Sequence, residues 1–168
     1  RLLAEAPCLS AENRLEAVRT LSRACGADGM VAGQVLDTVY DVRDEAGLTT
    51  LNRLKTGVMI SAAAELGCIA AEMPAAMRAQ ALVYADAIGR GFQIRDDILD
   101  VVSSANVLGK PVLSDEKNSK TTYVTLKGIE QAKTDVEEIS HRAASVLESL
   151  PGEKEFLQAV REVLGSLE

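Results

Sequence analysis

Residues 91 to 100 read Gly91-Phe92-Gln93-Ile94-Arg95-Asp96-Asp97-Ile98-Leu99-Asp100 and give the strongest indication of fold and function in the chain. On an α-helix Gln93, Asp96, Asp97 and Asp100 share one face, because their spacing follows the helical repeat. Three carboxylates on one face repel one another, and Arg95 points about 100° away from Asp96. A bound cation would relieve that repulsion. Oxygen ligands without His or Cys favour Mg²⁺, Mn²⁺ or Ca²⁺ over Zn²⁺.

This acidic stripe also has a simpler interpretation. Acidic residues on one side of a helix are usually a solvated face, and a DDxxD string is short enough to arise without a metal role. The stripe alone does not distinguish a solvated face from a metal site, so residues elsewhere in the chain are needed to do so.

The composition favours a helical domain. A chain of 168 residues can form one domain with a core, and a hydrophobic share of 47% is ordinary for a globular protein. Aromatic residues make up only 3% and Trp is absent, so Ala, Leu and Val must fill the core. Closely packed helices suit such residues better than a β-sandwich does. No segment has a convincing strand pattern, and the sequence predicts an all-α protein.

Charge and cysteine usage exclude several classes of protein. A net charge of −7 without a basic run argues against nucleic acid as a partner. Cys8, Cys25 and Cys68 are widely spaced, which suggests neither a disulfide framework nor a zinc site. The sequence has no signal-peptide pattern and no apolar run long enough for a transmembrane segment. We expect a cytoplasmic protein with reduced thiols.

Apolar periodicity and capping signals predict the helices. They are expected over residues 11–25, 28–40, 50–72, 74–102, 121–149 and 153–166. Ser10 is the expected cap of the first helix, and Thr49 or Thr50 of the third, after a turn at residues 44–47. Residues 103–119 are predicted to be irregular, and a loop of that length in a compact domain is usually functional or disordered.

Three lysines accompany the acidic stripe. Lys55 lies with Thr56 in an otherwise apolar helix, and Lys110 and Lys120 bracket the long loop. Each alone would be interpreted as a snorkelling or surface lysine. Together with a metal cluster they could bind a diphosphate, because Mg²⁺ bridges its oxygens and lysines neutralise the remaining charge.

A second polar stripe lies on the predicted helix 28–40. Gln34 and Asp37 share one face of it, and a satisfied core glutamine is the simpler interpretation. Gly33 within this helix lowers its stability unless another helix backbone or a ligand approaches closely.

The chain resembles the C-terminal half of the trans-prenyl diphosphate synthases, the family that includes bacterial farnesyl and geranylgeranyl diphosphate synthases. Four segments carry the resemblance: Gly29 to Asp37, Lys55-Thr56-Gly57, Gly91 to Asp100, and Gly109-Lys110-Pro111 through Asp115 to Lys120-Thr121-Thr122-Tyr123. The resemblance implies an all-α antiparallel helix bundle of the isoprenoid synthase type. Residues 1–168 would be the C-terminal part of a single domain whose N-terminal helices are absent. It also implies a homodimer.

The resemblance implies a magnesium site at the acidic stripe. Asp96 matches the direct ligand of one Mg²⁺ on the allylic diphosphate, and Asp97 and Asp100 hold that ion directly or through water. Asp115 matches a loop carboxylate that supports the same ion. The expected cofactor is therefore Mg²⁺.

The resemblance also assigns the residues that would contact the substrates, an allylic diphosphate and isopentenyl diphosphate. Lys55 and Lys110 match lysines that grip the diphosphate, and Lys120 matches one that closes over it. The remaining matches are Thr56 and Gln34 near the reacting end, and Phe92 and Gln93 beside isopentenyl diphosphate. The implied reaction is prenyl transfer: the allylic diphosphate ionises, the alkene of isopentenyl diphosphate attacks the cation, and a proton is lost.

Two features of the family are missing from the 168 residues. A first aspartate-rich motif and a basic segment for isopentenyl diphosphate lie upstream in that family, and the chain opens at Arg1 without Met. We therefore expect a truncated product, the ordered part of a longer chain or one piece of a split protein, inactive alone. Two alternatives remain: a non-catalytic partner or regulatory subunit of the same fold, and a class I terpene cyclase.

Overall fold

The computed structural model describes residues 1–108 and 120–149, with the backbone alone for 104–108. Its helices are α1 (Ala11–Cys25), α2 (Met30–Val39), α3 (Glu45–Asn52), a π-helical turn called here the π-segment (Arg53–Gly57), α4 (Val58–Ala70), α5 (Ala75–Leu108), α6 (Tyr123–Lys127) and α7 (Ile129–Ser149). No strand occurs in the described ranges, and the all-α prediction is confirmed. Within the same ranges, no helix combines the length and apolar character needed to cross a membrane.

The first two helices follow the sequence prediction. The Ser10 hydroxyl accepts a hydrogen bond from the Asn13 amide at 3.1 Å, which caps α1, and Gly26 ends the helix. The second helix lies within the predicted range of 28–40, so apolar periodicity was sufficient here.

The third helix begins earlier than predicted. The expected turn at residues 44–47 is the first helical turn, and the expected cap at Thr49 or Thr50 is wrong. Asp44 is the cap, because its carboxylate accepts a hydrogen bond from the Gly47 amide at 2.7 Å. Thr50 lies inside α3 and donates its hydroxyl to the Ala46 carbonyl.

The predicted helix 50–72 is divided by the π-segment. The Val58 amide donates to the Arg53 carbonyl five residues earlier, which is the π-helical pattern. Apolar periodicity could not reveal this bulge, because α4 continues in a helical direction on its far side. The bulge contains Lys55 and Thr56.

The longest helix, α5, extends beyond its predicted end. It continues through residues 103–108, which were expected to be irregular, and residues 109–119 lie outside the described part of the chain. Pro74, the expected first residue, directly precedes the helix, and its carbonyl accepts a hydrogen bond from the Arg78 amide at 3.0 Å.

The predicted helix 121–149 is two helices. Gly128 adopts a φ of 82° between them, a left-handed conformation that glycine accommodates readily. Thr122 caps α6 and forms a reciprocal capping box with Thr125. The predicted last helix, 153–166, lies outside the described residues.

The helices pack in the order α1, α4, α5, α7, while α2 and α3 pack against the π-segment. Between α5 and α7 lies a core cluster of Ile94, Ala132 and Val136, against which Tyr123 packs. The second half of α5 is thereby held between α7 and the π-segment, which positions its acidic residues.

Candidate functional site

A groove of 490 Å³ is lined by most of the predicted site residues that the structure describes. Its lining includes three carboxylates of α5 and two lysines: Asp96, Asp97, Asp100, Lys55 and Lys120. A larger groove of 750 Å³ follows α1 and α4 but contains none of the predicted site residues. The smaller groove is therefore the candidate site.

Close packing of α2 against the π-segment positions Lys55. A Cβ atom on Gly33 would lie 2.3 Å from the backbone nitrogen of Lys55, so only glycine permits this approach. The expectation that Gly33 admits another helix backbone is confirmed. One turn further along α2, an Asp37 carboxylate oxygen accepts a hydrogen bond from Lys55 Nζ at 2.8 Å.

Asp37 also contacts the second lysine of the groove. Its other oxygen accepts a hydrogen bond from Lys120 Nζ at 2.9 Å, and the Asp37 side chain is only 16% exposed. The hydrogen bond from Lys55, followed by that from Lys120, lowers the pKa of Asp37. Asp37 is therefore an anion at neutral pH and holds the two ammonium groups at one place.

The π-segment is joined to α5 as well. The Thr56 hydroxyl donates to the Gln93 side-chain oxygen at 3.3 Å. A Cβ atom on Gly89 would lie 3.1 Å from Gly57 Cα, so the two backbones pass closely. Thr56 and Gln93, predicted to lie near the two substrates, are thus adjacent.

On the acidic side of the groove, the surroundings of Asp97 disfavour its charged form. The half-buried Asp97 accepts a hydrogen bond from the Tyr123 amide at 2.7 Å. Burial raises the pKa of Asp97, and the charges of Asp96 and Asp100 raise it further against the opposing effect of that amide. A cation in the groove would reduce this cost.

The acidic side fits magnesium by its chemistry. In the described ranges no three His, Cys, Asp or Glu side chains already converge as a metal cluster. Mg²⁺ does not require one, since proteins often hold it by one or two carboxylates while water and substrate phosphates complete its octahedron. Asp96 is exposed at the groove, and Asp97 carries an unfavourable charge. The hard oxygen donors that Mg²⁺ requires are therefore present.

Five predicted residues are not placed at this groove. Thr56 does not line it, although its hydroxyl donates to Gln93, which does. Lys110 and Asp115 lie outside the described residues. Gln34 and Phe92 are exposed and do not belong to the groove lining. Their predicted roles stay predictions.

Sequence reasoning missed two residues that organise the groove. Asp37 was noticed only as part of a polar stripe, although its position four residues after Gly33 could have indicated that it faces Lys55. Tyr123 was quoted within a motif without a role. Burial and then the hydrogen bond to Asp135 raise the pKa of Tyr123 to about 12, so its hydroxyl stays a donor at neutral pH.

The polyprenyl synthetase family model matches residues 1–161. The farnesyl diphosphate synthase of Haemophilus influenzae is 34% identical over 154 residues, covering 89% of this chain and 52% of that protein. The farnesyl diphosphate synthase of Escherichia coli is 35% identical over 150 residues, covering 88% and 50%. The chain thus spans about half the length of the curated relatives it matches.

Two solved structures are similar to this chain over almost its whole length. An FPP/GFPP synthase from Zymomonas mobilis has a TM-score of 0.80 at 27% identity, covering 99% of this chain and 55% of that one. A geranyltransferase from Helicobacter pylori, solved in complex with magnesium and isoprenyl diphosphate, has a TM-score of 0.73 at 26% identity, covering 98% and 55%.

Proposed function

The chain belongs to the polyprenyl synthetase family, and from that premise we propose that the protein condenses an allylic diphosphate with isopentenyl diphosphate. One observation carries the proposal: two lysines and the acidic face of α5 line a single groove. The lysines suit the phosphate oxygens, and the carboxylates suit a divalent cation between them and the diphosphate.

The lysines would bind the diphosphate of the allylic substrate. Lys55 and Lys120 are held by Asp37 at 2.8 and 2.9 Å, so both ammonium groups already lie in the groove. The diphosphate would take hydrogen bonds from the same two groups, and Lys110 would add a third. Gathering them in advance lowers the entropy lost on binding.

Asp96, Asp97 and Asp100 would hold Mg²⁺ from α5, with Asp115 in support. When bound, Mg²⁺ supplies the charge that stabilises the departing diphosphate. The acidic residues fix the position of that charge, and the lysines neutralise the remaining phosphate oxygens.

The proposed reaction has three steps. The allylic carbon–oxygen bond breaks, and its electron pair leaves with the diphosphate. The alkene of isopentenyl diphosphate forms the new carbon–carbon bond, and a proton passes to the released diphosphate. Thr56 and Gln34 would lie near the reacting end, with Phe92 and Gln93 beside isopentenyl diphosphate. Apolar surroundings would keep water from the allylic cation.

The 168 residues provide one side of such a site. By resemblance, the first aspartate-rich motif and a basic segment lie in the half of the family's proteins that this chain does not match. We expect the 168 residues alone to be inactive and the complete protein to act as a cytoplasmic homodimer. Activity of the isolated chain with Mg²⁺ and both substrates would overturn the first expectation.

Asp96→Ala in the complete protein tests the proposal. Removal of this carboxylate should lower turnover about 10²- to 10³-fold, as loss of one preorganised electrostatic contact does elsewhere. The measurement is product formation from both diphosphates across a Mg²⁺ titration. Asp86→Ala is the matched control, since Asp86 is an exposed carboxylate of α5 outside this groove. Unchanged turnover in Asp96→Ala would contradict the metal assignment.

The same assay separates the alternatives. Consumption of the allylic diphosphate without isopentenyl diphosphate would indicate a terpene cyclase. A complete protein without turnover that changes the product of a catalytic partner would indicate a regulatory subunit. The lysine pair favours prenyl transfer over a regulatory role, since a structural role does not require it. By resemblance, Lys55 with Thr56 and Lys110 with Lys120 favour the chain-elongating enzymes over a terpene cyclase.

A further inference from the structure

Tyr123 links the acidic face of α5 to α7 through two separate hydrogen bonds. Its backbone amide donates to Asp97 Oδ2 at 2.7 Å, and its hydroxyl donates to Asp135 Oδ2 at 2.6 Å. The other Asp135 oxygen accepts from Gln131 Nε2 at 2.9 Å, so the far end of the link is itself fixed. A continuous chain of contacts therefore connects α7 to one of the three acidic residues.

The local structure leaves the Tyr123 amide available for Asp97. Tyr123 is the first residue of α6, and the first amides of a helix have no partner within it. The Thr122 hydroxyl caps the Thr125 amide instead. The Tyr123 amide can therefore donate its hydrogen bond to Asp97, which lies 26 residues earlier in the sequence.

Packing alone does not fix the direction of that amide. The Tyr123 ring lies against the cluster of Ile94, Ala132 and Val136, and apolar contacts are not directional. The bond from the hydroxyl to the Asp135 carboxylate is charge-assisted and short, so it fixes the ring along its long axis. A rotation of the residue that swings its hydroxyl away from Asp135 would break this bond.

We propose that Asp135 is a positioning residue for the acidic motif and acts through Tyr123. By holding the tyrosine hydroxyl, Asp135 keeps the Tyr123 amide on Asp97 and so keeps Asp97 in the orientation in which it joins a magnesium–diphosphate site. The last step rests on the proposed function. The link from Asp135 to the Asp97 contact does not, and it can be tested separately.

Hydrogen exchange at the Tyr123 amide tests the link in the full-length protein by NMR. Tyr123→Phe and Asp135→Ala should each speed exchange at amide 123 about tenfold, while the Ala132 and Val136 amides of α7 keep their rates. Asp135→Asn retains a carbonyl acceptor and should restore protection. Unchanged exchange at amide 123 in both variants would overturn the proposal, and so would equal loss of protection throughout α7.

Two control variants make matched changes away from the link. Tyr84→Phe removes a tyrosine hydroxyl from α5, and Lys133→Ala breaks an exposed pair with Glu130 on α7. Neither should change exchange at amide 123. A change as large as that in Tyr123→Phe would show that the effect is unspecific and would overturn the proposal.

Binding of inorganic diphosphate with Mg²⁺, measured by calorimetry, tests the functional step. Tyr123→Phe and Asp135→Ala should each weaken binding several-fold, and the double variant should be no weaker than either single one, because both remove the same link. Additive losses of binding free energy would show that Tyr123 and Asp135 act separately and would overturn the proposal. Absence of binding in the unaltered protein would overturn the proposed function and, with it, the role of Asp97. The hydrogen-exchange experiment would still test whether Asp135 positions the Tyr123 amide.

Discussion

Two carboxylates of the same groove, Asp37 and Asp97, have pKa values shifted in opposite directions. Hydrogen bonds from Lys55 and Lys120 lower the pKa of Asp37. Burial, reinforced by Asp96 and Asp100, raises the pKa of Asp97, and one backbone amide opposes that shift. The groove therefore has a lysine side, where hydrogen bonds favour the charged form of Asp37, and an acidic side, where burial and like charges disfavour the charged form of Asp97.

This difference indicates where a ligand would contribute most. On the lysine side a diphosphate would share Lys55 and Lys120 with the Asp37 carboxylate, so its net gain in charge compensation is small. On the acidic side a cation would remove repulsion among carboxylates that share one helix face. The lysine side is thus preorganised for an anion, and a cation on the acidic side would favour the charged form of Asp97.

The largest expected effect comes from disrupting the lysine side at its backbone. Gly33→Ala places a Cβ atom 2.3 Å from the backbone nitrogen of Lys55, which must move α2 away from the π-segment. The free energy of unfolding should fall by about 3 kcal/mol, the upper range for overpacking. Urea unfolding followed by circular dichroism measures it.

Gly67→Ala is the matched control for this change. Gly67 lies exposed in α4, and its Cβ would meet no atom within 4 Å. This substitution should raise the free energy of unfolding by about 0.5–1 kcal/mol, since alanine favours the helix. Equal effects of the two substitutions would show that the close approach at Gly33 is not needed.

A smaller effect is expected from removing the internal counter-ion. Asp37→Asn leaves Lys55 and Lys120 without their shared carboxylate and should lower the free energy of unfolding by about 1 kcal/mol at pH 7, a modest value because the lysines are partly exposed. Because folding lowers this pKa, the stabilisation is present above the unfolded pKa of about 4 and is lost as pH falls through the folded pKa.

The pH dependence distinguishes this effect from a packing defect. As pH falls below the unfolded pKa of about 4, the difference in the free energy of unfolding between Asp37→Asn and the unaltered protein should narrow, because folding then requires Asp37 to release a proton. Asp41→Asn is the control, since Asp41 pairs with Arg43 on the exposed surface. A loss of stability that stays constant over the whole pH range would contradict the ionic role of Asp37.

The sequence predicted the helices better than their junctions. Apolar periodicity located the helices because it reflects which face is buried. Asp44, Thr49 and Thr50 are all good caps, and the choice among them is made by tertiary packing, in which Leu48 and Leu51 of α3 are buried. The π-segment spans only five residues and the break at Gly128 only one, and a periodic pattern does not resolve such short features.

The site was predictable where its residues form local patterns. Asp96, Asp97 and Asp100 are one helix face, and Lys55 stood out against apolar neighbours. The roles of Asp37 and Tyr123 arise from contacts between residues 18, 83 and 26 positions apart. Sequence spacing contains no information about such distances until the packing of α2, α5 and α6 is known.

The smallest expected effect has the opposite sign and lies on the acidic side. Asp97→Asn removes a half-buried charge beside two like charges, while its side-chain oxygen still accepts from the Tyr123 amide. Without Mg²⁺ it should raise the free energy of unfolding by about 0.5–1 kcal/mol at pH 7. Because folding raises this pKa, the penalty is complete above the folded pKa and disappears below the unfolded one, so the gain shrinks as pH falls.

Mg²⁺ and diphosphate should reverse the sign of the Asp97→Asn effect. The ligands stabilise the folded state in proportion to their affinity, and a protein that lacks one carboxylate binds them less tightly. Thermal unfolding with and without both ligands measures the reversal, and Asp86→Asn on the same helix should show none. If Asp97→Asn is destabilising without ligands, as Asp37→Asn is expected to be, the two sides of the groove do not differ as their pKa shifts indicate. If it is stabilising in both conditions, Asp97 is strained but does not hold the cation.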